Sequence, residues 1–162
     1  MEAEPKARRG RITAIVLVVA LLAACGVLGY LVWADHREDR LRASAVEDAT
    51  RLVEQLATYD HTDVDANLDA VAAEATPEFA ERYREVSEGL RELLSSGEGT
   101  STGTVVHAGV ESLDPDRAVV LVFLDQEITN VTVPEGRVDA SRMVVTVVRD
   151  GDRWLLDEAQ LA

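Results

Sequence analysis

The sequence is short of three things, and each shortage closes a class of function. It has one cysteine, Cys25, so no intramolecular disulfide is available, and its histidines stand far apart as His36, His61 and His107, without the spacing of a Cys/His zinc site. It has seven aromatic residues in 162, two Trp, three Tyr and two Phe, too few to give stacking platforms for single-stranded bases. Its 16 basic side chains face 30 acidic ones, a formal charge of -14, so it lacks the cationic surface that nucleic-acid phosphates require. The Ser/Gly stretch running through Gly103 contains no lysine, which removes a phosphate-cradling loop of the Walker kind.

What the sequence does have is one long apolar run. Ile12 to Trp33 is free of charge, and 12 of its 22 residues are Ile, Leu or Val. At about 1.5 Å per residue, such a helix spans a hydrocarbon core of roughly 30 Å. Twelve central aliphatics favour insertion by roughly 4 to 7 kcal/mol before the small-residue costs. Lys6, Arg8, Arg9 and Arg11 precede the run, whereas acids offset the arginines after it, so the basic excess predicts a cytoplasmic N-terminus. Tyr30 and Trp33 fall where interfacial aromatics lie. The run is too long for the apolar core of a removable signal peptide. Leu22-Ala23-Ala24-Cys25 matches a lipobox, but apolar residues continue to Trp33 where a polar tether would follow a lipidated cysteine, so the run reads as an uncleaved anchor. The expected organisation is a basic cytoplasmic segment at 1–11, a transmembrane helix at 12–33, a helix leaving the membrane at 34–59, and the remainder of an exterior α+β domain at 60–162. In residues 35–162, 12 arginines face 28 carboxylates, a charge of -16 that repels anionic headgroups and predicts a domain standing off the bilayer.

Helical periodicity fills the first half of that domain. Leu41, Ala45, Ala49, Leu52, Val53, Leu56 and Tyr59 share one face, with Glu38/Arg42 and Glu47/Arg51 as i,i+4 pairs on the other. A shorter helix from Thr62 or Asp63 would bury Val64, Leu68, Val71 and Ala75. Thr76-Pro77-Glu78 supplies an N-cap hydroxyl, a first-turn proline and an acid at the positive dipole end, followed by a stripe of Phe79, Tyr83, Val86, Leu90 and Leu93.

After the Ser/Gly segment 95–99 the period switches to alternation. Thr104, Val106, Ala108 and Val110 are expected on one face of a strand, with Val105, His107, Gly109 and Glu111 on the other. Ala118 to Leu124 is apolar throughout, which predicts a central strand covered on both faces. Asp114-Pro115-Asp116 and Pro134-Glu135-Gly136 read as turns, Met143, Val145 and Val147 as one face of a third strand, and Asp150-Gly151 as a hairpin returning through Trp154. The whole is an α+β arrangement of about three helices and a four-stranded antiparallel sheet, one face on the helices and the other a groove or interface.

Three constellations suggest chemistry, and each has a plainer explanation. Asp63, Asp65, Asn67, Asp69 and Glu74 reproduce calcium-loop spacing, but Leu68 stands where that loop needs glycine, and the same stretch has a helical apolar face. Tyr59, Asp60 and His61 could form an acid/base group, yet they fall in a polar connection where capping accounts for them, and His107 with Glu111 reads as a partly exposed pair. Asn130-Val131-Thr132 matches a glycosylation sequon.

Taken in order, several short motifs resemble the mammalian cell entry (Mce)-associated membrane proteins of bacterial envelopes. They are Thr58-Tyr59-Asp60, Ala75-Thr76 with Phe79 and Tyr83, Thr100-Ser101-Thr102-Gly103, Ala108-Gly109-Val110, Asp116 to Val122, Asp125-Gln126 through Thr129-Asn130, and Gly151 to Leu155. Glu98-Gly99 and Gly136 depart from the family pattern in connecting segments. The resemblance implies a membrane-anchored, non-catalytic accessory subunit that assembles or stabilises an Mce-type lipid import complex, with an exterior domain of nuclear transport factor 2-like fold. It implies protein partners, permease or Mce subunits, and no cofactor, metal or nucleic acid; Thr58, Tyr59, Asp60, Asp125, Gln126, Asn130 and Trp154 come with no role assigned. The same fold is similar to the periplasmic scaffold of type IV secretion systems, the second reading. A third is a lipid carrier with an acyl chain in the groove, and the last an isomerase or dehydratase using Tyr59, Asp60 or Asp125.

Overall fold

The structure, a computed structural model, describes residues 5–96 and 98–162, with side chains described except at 5–16, 20, 90 and 92–95. In chain order the elements are α1 (Pro5–Ala57), β1 (Tyr59–Asp60), α2 (Val64–Ala73), α3 (Pro77–Ser96), β2 (Thr100–Leu113), β3 (Arg117–Asn130), β4 (Val133–Asp150) and β5 (Arg153–Leu161). Contacts divide the chain into two units, Met1–Arg40 and Leu41–Ala162. The basic residues Lys6, Arg8, Arg9 and Arg11 lie outside the described side chains.

In the first unit the described Leu, Val, Tyr and Trp side chains are all exposed, Leu22 at 66% and Leu28 at 61%. A helix with no buried stripe needs an apolar surround, and this one is long and apolar enough to cross a membrane. Tyr30 lies 6.2 Å from Trp33, and the Arg37 guanidinium sits 5.7 Å over the Trp33 ring, keeping a cation at the polar end of the run.

The second unit is built on an antiparallel sheet of order β1-β2-β3-β4-β5. The α1 segment from Leu41 to Ala57 lies on one face, because Ala45, Ala49, Leu52, Val53 and Ala57 recur at helical spacing and are buried. They meet Val120, Val122 and Leu124 of β3, Val145 and Val147 of β4, and Trp154 and Leu156 of β5 in one core cluster. Burying Leu52 and Val53 stabilises this packing by about 1.5–3 kcal/mol each. Val64, Leu68, Val71 and Ala72 bury the inner face of α2, and Thr76 starts α3 as expected: its Oγ1 accepts from Phe79 N–H at 3.3 Å.

Several expectations are corrected. The helix ends at Ala57, and Tyr59-Asp60 forms an edge strand paired with Ser101 and Thr100, so the sheet has five strands rather than four. In Ala118–Leu124 only alternate residues are buried; Leu121 and Phe123 are 40% and 45% exposed, since the helices cover one face of an antiparallel sheet. On β2, a register shift between Val105 and His107 turns Val106 out to 49% exposure while Val105 and Ala108 pack on the core. The Val105 N–H donates to Glu54 Oε1 of α1 at 2.9 Å, which fixes that irregularity. On α3, Ala80 and Ser87 are buried and Val86 is 72% exposed, so the buried stripe is rotated from the expected one; the side chains of Leu90 and Leu93 lie outside those described. The β3–β4 turn is not Pro134-Glu135-Gly136. Asn130 makes it instead, its Oδ1 accepting from Thr132 N–H at 2.8 Å and Val133 N–H at 3.0 Å, while Gly136 sits inside β4 at φ +77°.

Candidate functional site

The motif residues divide into locks and surface positions. The main lock is the end of α1. Gly103 N–H donates to Thr58 Oγ1 at 3.1 Å, and Gln126 Nε2 donates to the Ala57 carbonyl at 3.4 Å. Asn67 Nδ2 donates to the carbonyls of Gln55, at 3.2 Å, and of Thr58. The bonds to the Gln55 and Ala57 carbonyls satisfy groups that a helix leaves unpaired at its C-terminus. A second lock holds the start of the buried helix segment to β5: Trp154 Nε1 donates to Ser44 Oγ at 3.0 Å, Trp154 N–H to Asp48 Oδ2 at 2.9 Å, and Ser44 Oγ to the Leu41 carbonyl at 3.0 Å. Asp48 also takes the Arg51 guanidinium, which reaches Glu74 as well.

Asp60 sits in a turn, its Oδ1 accepting from Thr62 N–H at 2.8 Å and Thr62 Oγ1 at 2.7 Å. Those two bonds, with a weaker attraction from His61, hold its carboxyl below the usual carboxylate range. The His61 Nδ1 lies 3.5 Å from Asp60 Oδ1. Burial pushes the Tyr59 hydroxyl up, but its backbone pairs with Ser101 on the sheet edge, and the three residues do not converge on a described hollow. The residues of calcium-loop spacing lie in and beside α2, where Asp65 takes Arg91 at 2.6 Å and Glu74 takes Arg51. Among the described residues no group of three or more His, Cys, Asp or Glu could hold a metal.

Asp125 is different. Alternation turns it away from its neighbour Gln126 and into a shallow hollow of about 450 Å³ on the uncovered side of the sheet, with Val106, Phe123, Ser141, Arg142 and Leu161. The Arg142 guanidinium lies 6.0 Å over the Phe123 ring. A second hollow of about 350 Å³ lies between α3 and β5, lined by Phe79, Tyr83, Val86 and Glu158 to Gln160, with the Phe79 and Tyr83 rings stacked at 5.8 Å. Both are open and mixed in polarity, suited to holding a surface rather than to excluding water from a reaction. Sequence reasoning missed Ser44, Asp48 and Glu54 as side chains that reach across to strands. Their one signal is a polar residue on the flank of an otherwise apolar helix face.

The curled antiparallel sheet with helices on one face defines a nuclear transport factor 2-like domain, here in a chain that also carries a long apolar helix. The chain belongs to the family described as "Uncharacterized protein Rv1363c/MT1408-like", whose model matches residues 10–160. It is 26% identical over 161 residues to the uncharacterized protein Rv1363c of Mycobacterium tuberculosis, an alignment covering 96% of this chain and 62% of the relative. The chain thus spans less than two thirds of that relative's length. It is 30% identical over 147 residues to the outer membrane protein Rv1973 of the same organism, covering 86% and 89% of the two chains. Among solved structures it is similar to an IcmL-like type IV secretion system protein from Legionella pneumophila, with a TM-score of 0.58 at 11% identity over 75% of this chain and 91% of the other. That likeness is one of fold.

Proposed function

We propose that this chain is a non-catalytic, single-pass membrane accessory subunit that assembles or stabilises an Mce-type lipid import complex in a bacterial envelope. In this reading residues 1–11 lie in the cytoplasm, 12–33 span the bilayer, and 34–162 form an extracytoplasmic scaffold that holds protein partners, permease or Mce subunits. The observation that carries it is the sheet's uncovered side, where Leu121, Phe123 and Val106 remain at the surface beside Asp125 and Arg142, on the same chain as an apolar helix. Exposed apolar residues rimmed by charge mark a protein-binding surface. The motif residues support the same reading, since Thr58, Gln126 and Trp154 hold the frame and Asp60 and Asn130 shape turns. The fold likeness to a type IV secretion system protein supports a second reading, a scaffold of a secretion-like complex.

Photo-crosslinking from position 123 in intact membranes, followed by identification of the captured neighbours, separates the readings. Permease or substrate-binding subunits of a lipid importer are the expected capture. Secretion-channel components would favour the second reading. Capture of lipid alone would replace both with a carrier that holds an acyl chain in the groove.

A further inference from the structure

A groove runs between α3 and the outer edge of β5. Its lane already holds an extended backbone at its start: Leu156 N–H donates to the Glu74 carbonyl at 3.0 Å and Thr76 N–H to the Leu156 carbonyl at 2.8 Å, a parallel bridge. The chain then leaves the lane as α3. β5 carries one extra residue, Asp157, between Leu156 opposite Val147 and Glu158 opposite Thr146. Further along β5, Ala162 N–H donates to the Arg142 carbonyl of β4 at 2.9 Å. Backbone groups alternate along a strand, so those of Gln160 and Glu158 also point to β4, and the N–H and carbonyl of Ala159 point into the lane. No described backbone or side-chain group pairs with either. Across a hollow of about 350 Å³ they face the α3 stripe of Phe79, Tyr83 and Val86, and Val86 is 72% exposed. The lane lies to the side of β5, outside the strand's own course, and the hollow shares no lining residue with the one at Phe123.

We infer that this groove takes an extended segment of another protein, with alternating apolar and basic residues, as an added strand beside Ala159. At an open strand edge, main-chain hydrogen bonds hold such a segment and the flanking side chains select its sequence. Ala159 and α3 both pack on the core side of the sheet, so every second side chain of the added strand meets Phe79, Tyr83 and Val86. The side chains between them meet Glu158 on the opposite side, whose carboxylate touches only the neutral Gln160 amide, at 2.7 Å, among the described residues. On α3, Glu78, Arg82 and Glu85 form the next stripe outward. Arg82 donates to the Asp157 carbonyl at 3.2 Å, and the Asp157 carboxylate is taken by Arg117 at 2.9 Å and Thr76 at 3.0 Å. Glu78, Glu85 and Glu158 therefore outnumber the one guanidinium, within an exterior region of charge -16, which selects Lys or Arg in the segment over acidic residues. An acyl chain would cover the apolar stripe but leave both Ala159 groups unpaired, and an anionic headgroup would meet those carboxylates. The groove is a second contact surface, whichever complex the chain serves.

The test uses the full chain in detergent micelles and, as probe, a free peptide of about eight residues alternating valine and lysine, the length of one strand. At saturating peptide, amide hydrogen exchange at Ala159, followed by NMR on isotope-labelled chain, should slow by roughly tenfold or more, since its N–H gains a partner. The same peptide with every backbone nitrogen methylated, and a valine–glutamate peptide, should not bind. Val86→Lys and Glu158→Lys, both at exposed positions that leave circular dichroism unchanged, should each weaken binding roughly tenfold. Glu127→Lys, an equal change of charge on the open side of the sheet, should not. Failure of the valine–lysine peptide to bind, or an Ala159 amide indifferent to it, would overturn the inference. Equal weakening by Glu127→Lys would do the same by reducing the effect to general charge attraction. Displacement of the peptide by laurate would make the groove a lipid site, and protection of Ala159 that grows with chain concentration alone would make its occupant a second copy; either result also overturns it.

Discussion

The Asp60 carboxylate accepts from the backbone N–H and then the hydroxyl of Thr62, and those bonds favour its ionised form. A carboxyl whose folded-state pKa is lowered contributes stability that is complete above its unfolded-state pKa and is lost as pH falls through the folded-state value. The turn between β1 and α2 should therefore stay closed through neutral pH and loosen only at acid pH, below the ordinary carboxylate range. A carbon-detected NMR titration should place the Asp60 midpoint below that of an aspartate in a disordered peptide, with Thr62 amide exchange accelerating through the same transition. A midpoint in the ordinary range would remove this account of the turn. The sequence shows that Asp60 lies in a connection, because polar residues cluster between two helical patterns. It does not show that Tyr59 and Asp60 become a strand, because two residues have no periodicity and are recruited by Ser101 and Thr100, some forty positions downstream. The same limit hid Glu54, whose role depends on a β2 register shift.

Among elements, the contact that fixes α1 on the sheet is the approach of its last turn to β2. A Cβ added at Gly103 would lie 2.5 Å from the Ala57 Cβ, a rigid atom with no side-chain freedom to yield. Gly103→Ala should therefore cost about 1–3 kcal/mol, as overpacking does. Urea unfolding should show a lower midpoint with an unchanged slope. A midpoint equal to that of the parent would mean that the helix end is not held as described. α3 gives the complementary case. Its start was legible from Thr76-Pro77-Glu78, because capping is local chemistry. Its buried face was not, because Phe79, Tyr83 and Val86 satisfy helical spacing equally well whether the stripe meets the core or the hollow beside β5.

For the whole molecule, the decisive quantity is the disposition of charge and apolar length along the chain. A basic segment, an apolar run and an exterior region of charge -16 give a definite orientation in the proposed reading. Protease added to intact spheroplasts should remove the domain beyond residue 34 and leave a short membrane-embedded fragment. A domain untouched until the membrane is permeabilised would reverse that orientation, and a mature chain beginning at an acylated Cys25 would replace the uncleaved anchor.

The sequence by itself determined the anchor-like helix, the order of three helices before the four long strands, the α3 cap and the Asp150-Gly151 hairpin, where Gly151 indeed takes φ +65°. Each of these depends on composition or on neighbours within a few positions. Only the tertiary structure decided which side of β3 stays open, that Thr58 and Gln126 both serve the end of α1, and that Asn130 rather than Pro134 turns the chain. Those outcomes depend on strand register and on where the helices lie, and register is set by partners far away in the chain, which a local pattern does not encode.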